Sequence, residues 1–180
     1  MQQQQIPPIF SKGRIIFAAL LVTLTIIGEI VLHSNHLPTW PAFACMIIFF
    51  YYHMDTKQIP HIIIGSFFGI LQYPLIMMFV KAFAPSIGVF PAQLVYIGVF
   101  VGTIVLLKDH VPWVFNTNAF MLFFISGVAA KVPPGPQPMQ WMAVQLIGGT
   151  ALILGVVGIQ KIVAAVVAKQ IREQMQQRAH

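Results

Sequence analysis

Residues 15–32, Ile15-Ile16-Phe17-Ala18-Ala19-Leu20-Leu21-Val22-Thr23-Leu24-Thr25-Ile26-Ile27-Gly28-Glu29-Ile30-Val31-Leu32, hold a single charged side chain, Glu29. A helix of about 20 apolar residues crosses the hydrocarbon core of a bilayer. Lys12 and Arg14 stand just before this run, and His33-Ser34-Asn35-His36 stand just after it. No small-x-small cleavage pattern follows Leu32, so the run predicts a retained first span rather than a removed leader.

Working outward, further apolar runs of near-spanning length follow. They predict spans at Thr39–Met54, from Pro60 to about Phe83, at Pro91–Leu107, at Pro112–Ala130, and from Met139 to Ile159, the last continuing as helix to about Gln174. The expected fold class is therefore all-α, a polytopic transmembrane bundle of six spans. Residues 1–14 read as a polar lead-in that includes the Gln2–Gln5 run. Residues 15–160 read as the membrane domain, and residues 161–180 as a basic amphipathic tail lying near anionic headgroups.

Composition agrees. Of the 180 residues, 58% are hydrophobic and 8% charged, and the mean hydropathy is +0.82. A soluble domain carries about 25% charged residues, and a globule of this size cannot hide so much apolar surface from water. In lipid, helices close their own backbone hydrogen bonds and such a composition is expected. The net charge of +6 comes from residues set singly between apolar runs and grouped in the tail, the arrangement of span-flanking charges; nucleic acid is excluded as a partner. The lone cysteine, Cys45, makes neither an internal disulfide nor a cysteine-cluster metal site and reads as a small buried hydrophobe.

Prolines punctuate the spans. Pro38, Pro41, Pro60, Pro91 and Pro112 fall at or near span starts, where a missing N–H costs nothing, and Val132-Pro133-Pro134-Gly135-Pro136-Gln137-Pro138 predicts a loop. With the N-terminus inside, Lys12, Arg14, Lys57, Lys108, Lys161, Lys169, Arg172 and Arg178 face the cytoplasm, against Lys81 and Lys131 outside. Eight against two is a positive-inside bias that puts both termini in the cytoplasm and favours an even number of spans. Pro41-Ala42, Lys57 and Pro60 are echoed about fifty residues later by Pro91-Ala92, Lys108 and Pro112, which points to a parallel repeat of spans two plus three and four plus five.

The residues with chemistry are few. Asn116-Thr117-Asn118, one turn into the fifth expected span, are costly in hydrocarbon unless partnered. They read either as a broken helix lining a polar path or as amides bonding neighbouring helices. Gln72 and Tyr73 precede Pro74 mid-span, where a freed carbonyl or a cavity gives the amide a partner. Glu29 is an acid inside a span, a functional candidate by position, or an interfacial carboxylate near His33. Gln93, Tyr96 and Gln145 are further polar groups near span starts. Gly65 and Gly69, with Gly148 and Gly155, give small-residue faces for close helix packing. No closely spaced His/Cys/Asp/Glu ligand set, G-x-S-x-G or phosphate-binding loop occurs, so neither cofactor nor metal nor catalytic residue is expected.

Thr39-Trp40-Pro41-Ala42-Phe43, opening a short aromatic span, and Gly65-Ser66-Phe67-Phe68-Gly69 in the next resemble the YcdZ-like family of small bacterial inner-membrane proteins of unknown function. The resemblance covers roughly residues 15–159 and implies a bacterial inner-membrane location, without substrate or catalytic residues; the proline-rich loop and the long basic tail depart from the family pattern. The expectation is a channel or transporter for a small polar solute, working as a homo-oligomer in the lipid bilayer, with Asn116, Thr117, Asn118, Gln72, Tyr73 and Glu29 along its path. The alternative is a non-transporting membrane subunit whose basic tail docks a partner.

Overall fold

The structure, a computed structural model, describes residues 11–178; the Gln2–Gln5 run lies outside them. They form helices and turns in the order α1 (Lys12–Ser34), α2 (Trp40–Tyr51), a 3-10 turn (Thr56–Gln58), α3 (Ile59–Ile87), α4 (Val89–Leu107), α5 (Thr117–Ala129), α6 (Pro138–Val144), a π-turn (Gln145–Gly149) and α7 (Thr150–Arg178). Four segments are long and apolar enough to cross a membrane: Lys12–Ser34, Thr56–Ile87, Val89–Leu107 and Pro138–Gln176. The other two apolar helices are shorter. α2 has 12 residues and α5 has 13, which at 1.5 Å per residue gives about 18 and 20 Å, against a hydrocarbon core of about 30 Å.

Local chemistry explains the boundaries. Pro41 and Pro60 sit in the first turns of α2 and α3, and Pro138 opens α6, positions at which an intrahelical N–H is not needed. Asp55 caps the 3-10 turn, accepting from the Lys57 N–H at 2.9 Å, after His53 and Met54 have reversed the chain with φ of 55° and 59°. Pro74 and Pro85 lie inside α3. α6, the π-turn and α7 run on as one helix to Arg178; its first 39 residues, Pro138–Gln176, measure about 58 Å, nearly twice the hydrocarbon thickness, and the helix passes the Gln174 end expected from sequence.

The fifth expected span needs correcting. A helix over Pro112–Ala130 is predicted by hydropathy, but residues 108–116 are turns and the helix starts at Thr117. The Asn116 side chain binds the first free N–H groups and fixes the start there. The expected repeat does not extend to helix lengths either: α2 and α3 have 12 and 29 residues, whereas α4 and α5 have 19 and 13. Pro60 enters its helix while Pro112 remains in the preceding turn.

Packing is set by glycines at close crossings. α1 runs antiparallel along α7: a Cβ on Gly13 would lie 3.0 Å from Val167 Cγ2, one on Gly28 would lie 3.1 Å from Leu152 Cδ2, and one on Gly155 would lie 2.8 Å from Leu24 Cδ2. α2 lies across the π-turn, where a Cβ on Gly148 would come 3.0 Å from Ala42 Cβ and one on Gly149 would come 3.0 Å from Cys45 Sγ. α3 and α5 run parallel in the tightest crossing, with Gly65 on Asn116 and Gly69 on the Ala119 carbonyl. Phe49, Ile62, Ile70, Leu122, Ile153 and Val156 fill the centre. α1 buries only Leu32 of its 23 residues, and Ile26, Ile27, Val99 and Leu106 are exposed. Apolar surface left open on this scale suits lipid as the outer medium.

Candidate functional site

The Asn116-Thr117-Asn118 triplet is the N-terminus of α5 and is held by α3. Asn116 Oδ1 accepts from the N–H groups of Asn118 (2.9 Å) and Ala119 (3.1 Å), an N-cap arrangement. Its Nδ2 donates toward three carbonyls, Pro112 (2.9 Å), His61 (3.1 Å) and Trp113 (3.2 Å). Asn118 Nδ2 adds a second bond to the His61 carbonyl at 3.2 Å, and Asn118 is 3% exposed. Thr117 points outward. These amides satisfy backbone groups of two chain segments, the partnered arrangement required of buried amides in an apolar medium.

Gln72 stitches α3 to α4. Its Nε2 donates to the Phe68 carbonyl at 3.2 Å and its Oε1 accepts from the Tyr96 hydroxyl at 2.8 Å; the Pro74 kink does not claim it. Tyr73 stands edge-on to Trp141 with ring centroids 5.5 Å apart, and Trp141 meets Trp40 in the same way at 5.5 Å. Glu29 is exposed on α1, whose main packing partner is α7. The six residues expected along one path are thus distributed over four places: the α3–α5 crossing (Asn116, Thr117, Asn118), the α3–α4 crossing (Gln72), the contact of α3 with α6 (Tyr73) and the outer face of α1 (Glu29).

A concavity does exist, elsewhere. α4 packs on α3 and meets α5 through Phe123, whose ring stands 4.9 Å from Phe100 and 6.4 Å from Tyr96, and between α3, α4 and the last turns of α5 lies a groove of about 410 Å³. Its walls are mostly apolar, with Met77, Ile97, Phe123 and Val128, and three polar residues also line it: Tyr73, Gln93 and Lys131. Gly127 also lines it, and a Cβ there would meet nothing within 4 Å. Apolar walls, a few placed polar groups and a volume of several hundred Å³ are the features of small-molecule sites. Of the six residues expected along the path, only Tyr73 lines this groove; Gln93, read in the sequence as a further polar group near a span start, lines it too. Lys131 reads in the sequence as a loop charge and Gly127 as a helix residue; their convergence depends on how α3, α4 and α5 pack together, for which the sequence holds no local signal. Among the described residues no group of three His, Cys, Asp or Glu side chains is placed to hold a metal ion.

Fold and site together define an all-helical bundle with four helices long and apolar enough to cross a bilayer and an apolar groove at one end. Neither a protein-family model, nor a curated protein, nor a solved structure matches this chain.

Proposed function

We propose that this chain is a six-span protein of a bacterial inner membrane, with both termini cytoplasmic, that moves a small solute and takes it up from the outer side through the α3–α4–α5 groove. The orientation rests on the positive-inside bias and the bacterial location on the YcdZ-like resemblance. α2 and α5 complete their crossings with flanking turns and local thinning of the bilayer. The observation that carries the reading is the groove itself, a mostly apolar concavity whose lining includes Tyr73, Gln93 and Lys131. That lining fits a solute with an apolar body and a hydrogen-bonding or anionic head placed at Lys131. Asn116 and Asn118 serve in this reading as the clasp between α3 and α5, not as part of the path.

The test is flux into proteoliposomes across a panel of small carboxylates and neutral polar solutes. Gly127→Leu is expected to remove most of the flux, because the new side chain fills the groove and its Cβ meets no neighbour, while the unfolding midpoint stays near wild type. Lys131→Gln is expected to weaken anionic solutes more than neutral ones. Flux no greater than that of empty liposomes for every solute contradicts the proposal.

A second reading, a membrane subunit without transport, is favoured by the free face of α4. Gly98 and Gly102 stand four residues apart with nothing within 4 Å of either, the spacing with which small residues bring two membrane helices together. Under that reading Gly98→Leu releases a co-purifying partner or splits a homo-oligomer, and Gly127→Leu changes nothing.

A further inference from the structure

A second concavity lies on the same two long helices as the groove. It measures about 230 Å³, and its lining includes Phe68, Gln72, Tyr96, Phe100, Thr103 and Phe115. The groove meets α4 at Gln93 and Ile97, near the start of that helix. The second cavity reaches Thr103, near its end. Gln93 and Thr103 are about 15 Å apart along the helix axis. In the orientation proposed above, the groove lies toward the outer side and the second cavity toward the inner side.

One group of side chains stands between the two. Phe123 lines the groove, and its ring packs on Phe100 and Tyr96, both of which line the second cavity. Phe100 and Phe123 are each 5% exposed, so these rings are packed together. On α3 the divide falls between adjacent residues. Tyr73 lines the groove and Gln72 the second cavity, because successive side chains on a helix point about 100° apart. The Tyr96 hydroxyl donates to Gln72 Oε1 at 2.8 Å and ties α4 to α3 at this level.

The second cavity has hydrogen-bonding capacity to spare. Gln72 Nε2 donates one hydrogen to the Phe68 carbonyl. That leaves its second N–H, and lone pairs on Gln72 Oε1 and on the Tyr96 oxygen. Among the described residues no charged side chain lines this cavity. It therefore suits a hydrogen-bonding head on an apolar body, the solute chemistry that also fits the groove.

We propose that the second cavity is the inward half of the path that begins at the groove. Gln72 and Tyr96 receive the solute's head there, and Phe123 with the Tyr96–Gln72 bond is the gate between the halves. The inference rests on the transport reading above. Passage requires the Phe123 ring to turn from Phe100 and the Tyr96 hydroxyl to leave Gln72. The arriving head replaces the bond that the hydroxyl gives up, so opening leaves no buried polar group unpaired.

The test uses the full chain in a Cys45→Ala background, in right-side-out and inside-out bacterial membrane vesicles. The probe is a charged methanethiosulfonate reagent, which reacts with thiols that meet water. Gln93→Cys is expected to be modified from the outer side. Thr103→Cys is expected to be modified from the inner side only, and Phe123→Ala is expected to open it to the outer reagent. Truncating a buried phenylalanine is among the costlier core changes, so Tyr96→Phe is the second variant. It keeps the ring, removes the bond and is expected to speed outer modification of Thr103→Cys. Outer modification of Thr103→Cys with Phe123 and Tyr96 intact would show that nothing closes the path there. Thr103→Cys unmodified from both sides would place the cavity in lipid, and outer protection that persists in every variant that folds would take the gate away from these residues. Each of these results overturns the proposal. Gln93→Cys distinguishes them from failure of the groove: its modification from outside, with solute flux above that of empty liposomes, keeps the groove as the entrance, whereas loss of both signals removes the entrance and the gate together.

Discussion

Gly69→Ala is expected to destabilise the protein by about 3 kcal/mol, at the upper end of the usual cost of overpacking. The new Cβ would overlap the backbone carbonyl of Ala119, and a backbone group cannot rotate aside as a side-chain tip can. Relief requires α3 and α5 to move apart. That separation strains the bonds from Asn116 and Asn118 to the His61 carbonyl and loosens Leu122, which is fully buried. Gly98→Ala is the control. It carries the same added methyl on a helix, with nothing within 4 Å, and is expected to be neutral or slightly stabilising, by up to about 1 kcal/mol from helix propensity. Unfolding in mixed detergent micelles measures both. Equal midpoints for the two variants would show that the α3–α5 crossing is not the tight contact described above.

Asn116→Asp is expected to be the second severe change, costing about 2–4 kcal/mol, although Asp and Asn are normally equivalent N-caps. The carboxylate retains the bonds from the Asn118 and Ala119 N–H groups. It loses the donors aimed at Pro112, Trp113 and His61 and sets a negative charge against their carbonyl oxygens, a repulsion that the Asn118 bond to the His61 carbonyl does not offset. Asn116→Ser, which caps and carries no charge, is expected to lie between Asp and wild type. The same unfolding assay ranks them; an Asp variant as stable as wild type would remove Asn116 from the role of clasp.

The long helices were readable from sequence because hydropathy and proline punctuation report the same physics that fixes them. The run at residues 15–32 becomes α1, and Pro60 opens α3 after the Asp55 cap. Capping escapes a hydropathy reading. Pro112-Trp113-Val114-Phe115 is apolar enough to count as span, yet Asn116 draws the α5 start to Thr117 because its side chain satisfies two otherwise free N–H groups. Gln72 is legible as a buried amide but its partner is not, since Tyr96 lies 24 residues away across a helix hairpin. The groove is the least legible feature. It lies between three helices, and the residues that meet there, Tyr73, Gln93, Gly127 and Lys131, come from those helices and a loop with no shared spacing. The π-turn is equally hidden, because Gln145-Leu146-Ile147-Gly148-Gly149 has the composition of an ordinary helix turn.

Each functional reading above assumes that the bundle lies across a bilayer with the turn at Lys57 and the loop at Lys131 on opposite faces. The most direct measurement replaces each lysine in turn by cysteine, in a Cys45→Ala background, and labels intact bacterial cells with a membrane-impermeant maleimide. Labelling of Lys131→Cys from outside, with Lys57→Cys protected until the cells are opened, is the predicted result. Labelling of both before the cells are opened, or protection of both until then, would contradict it.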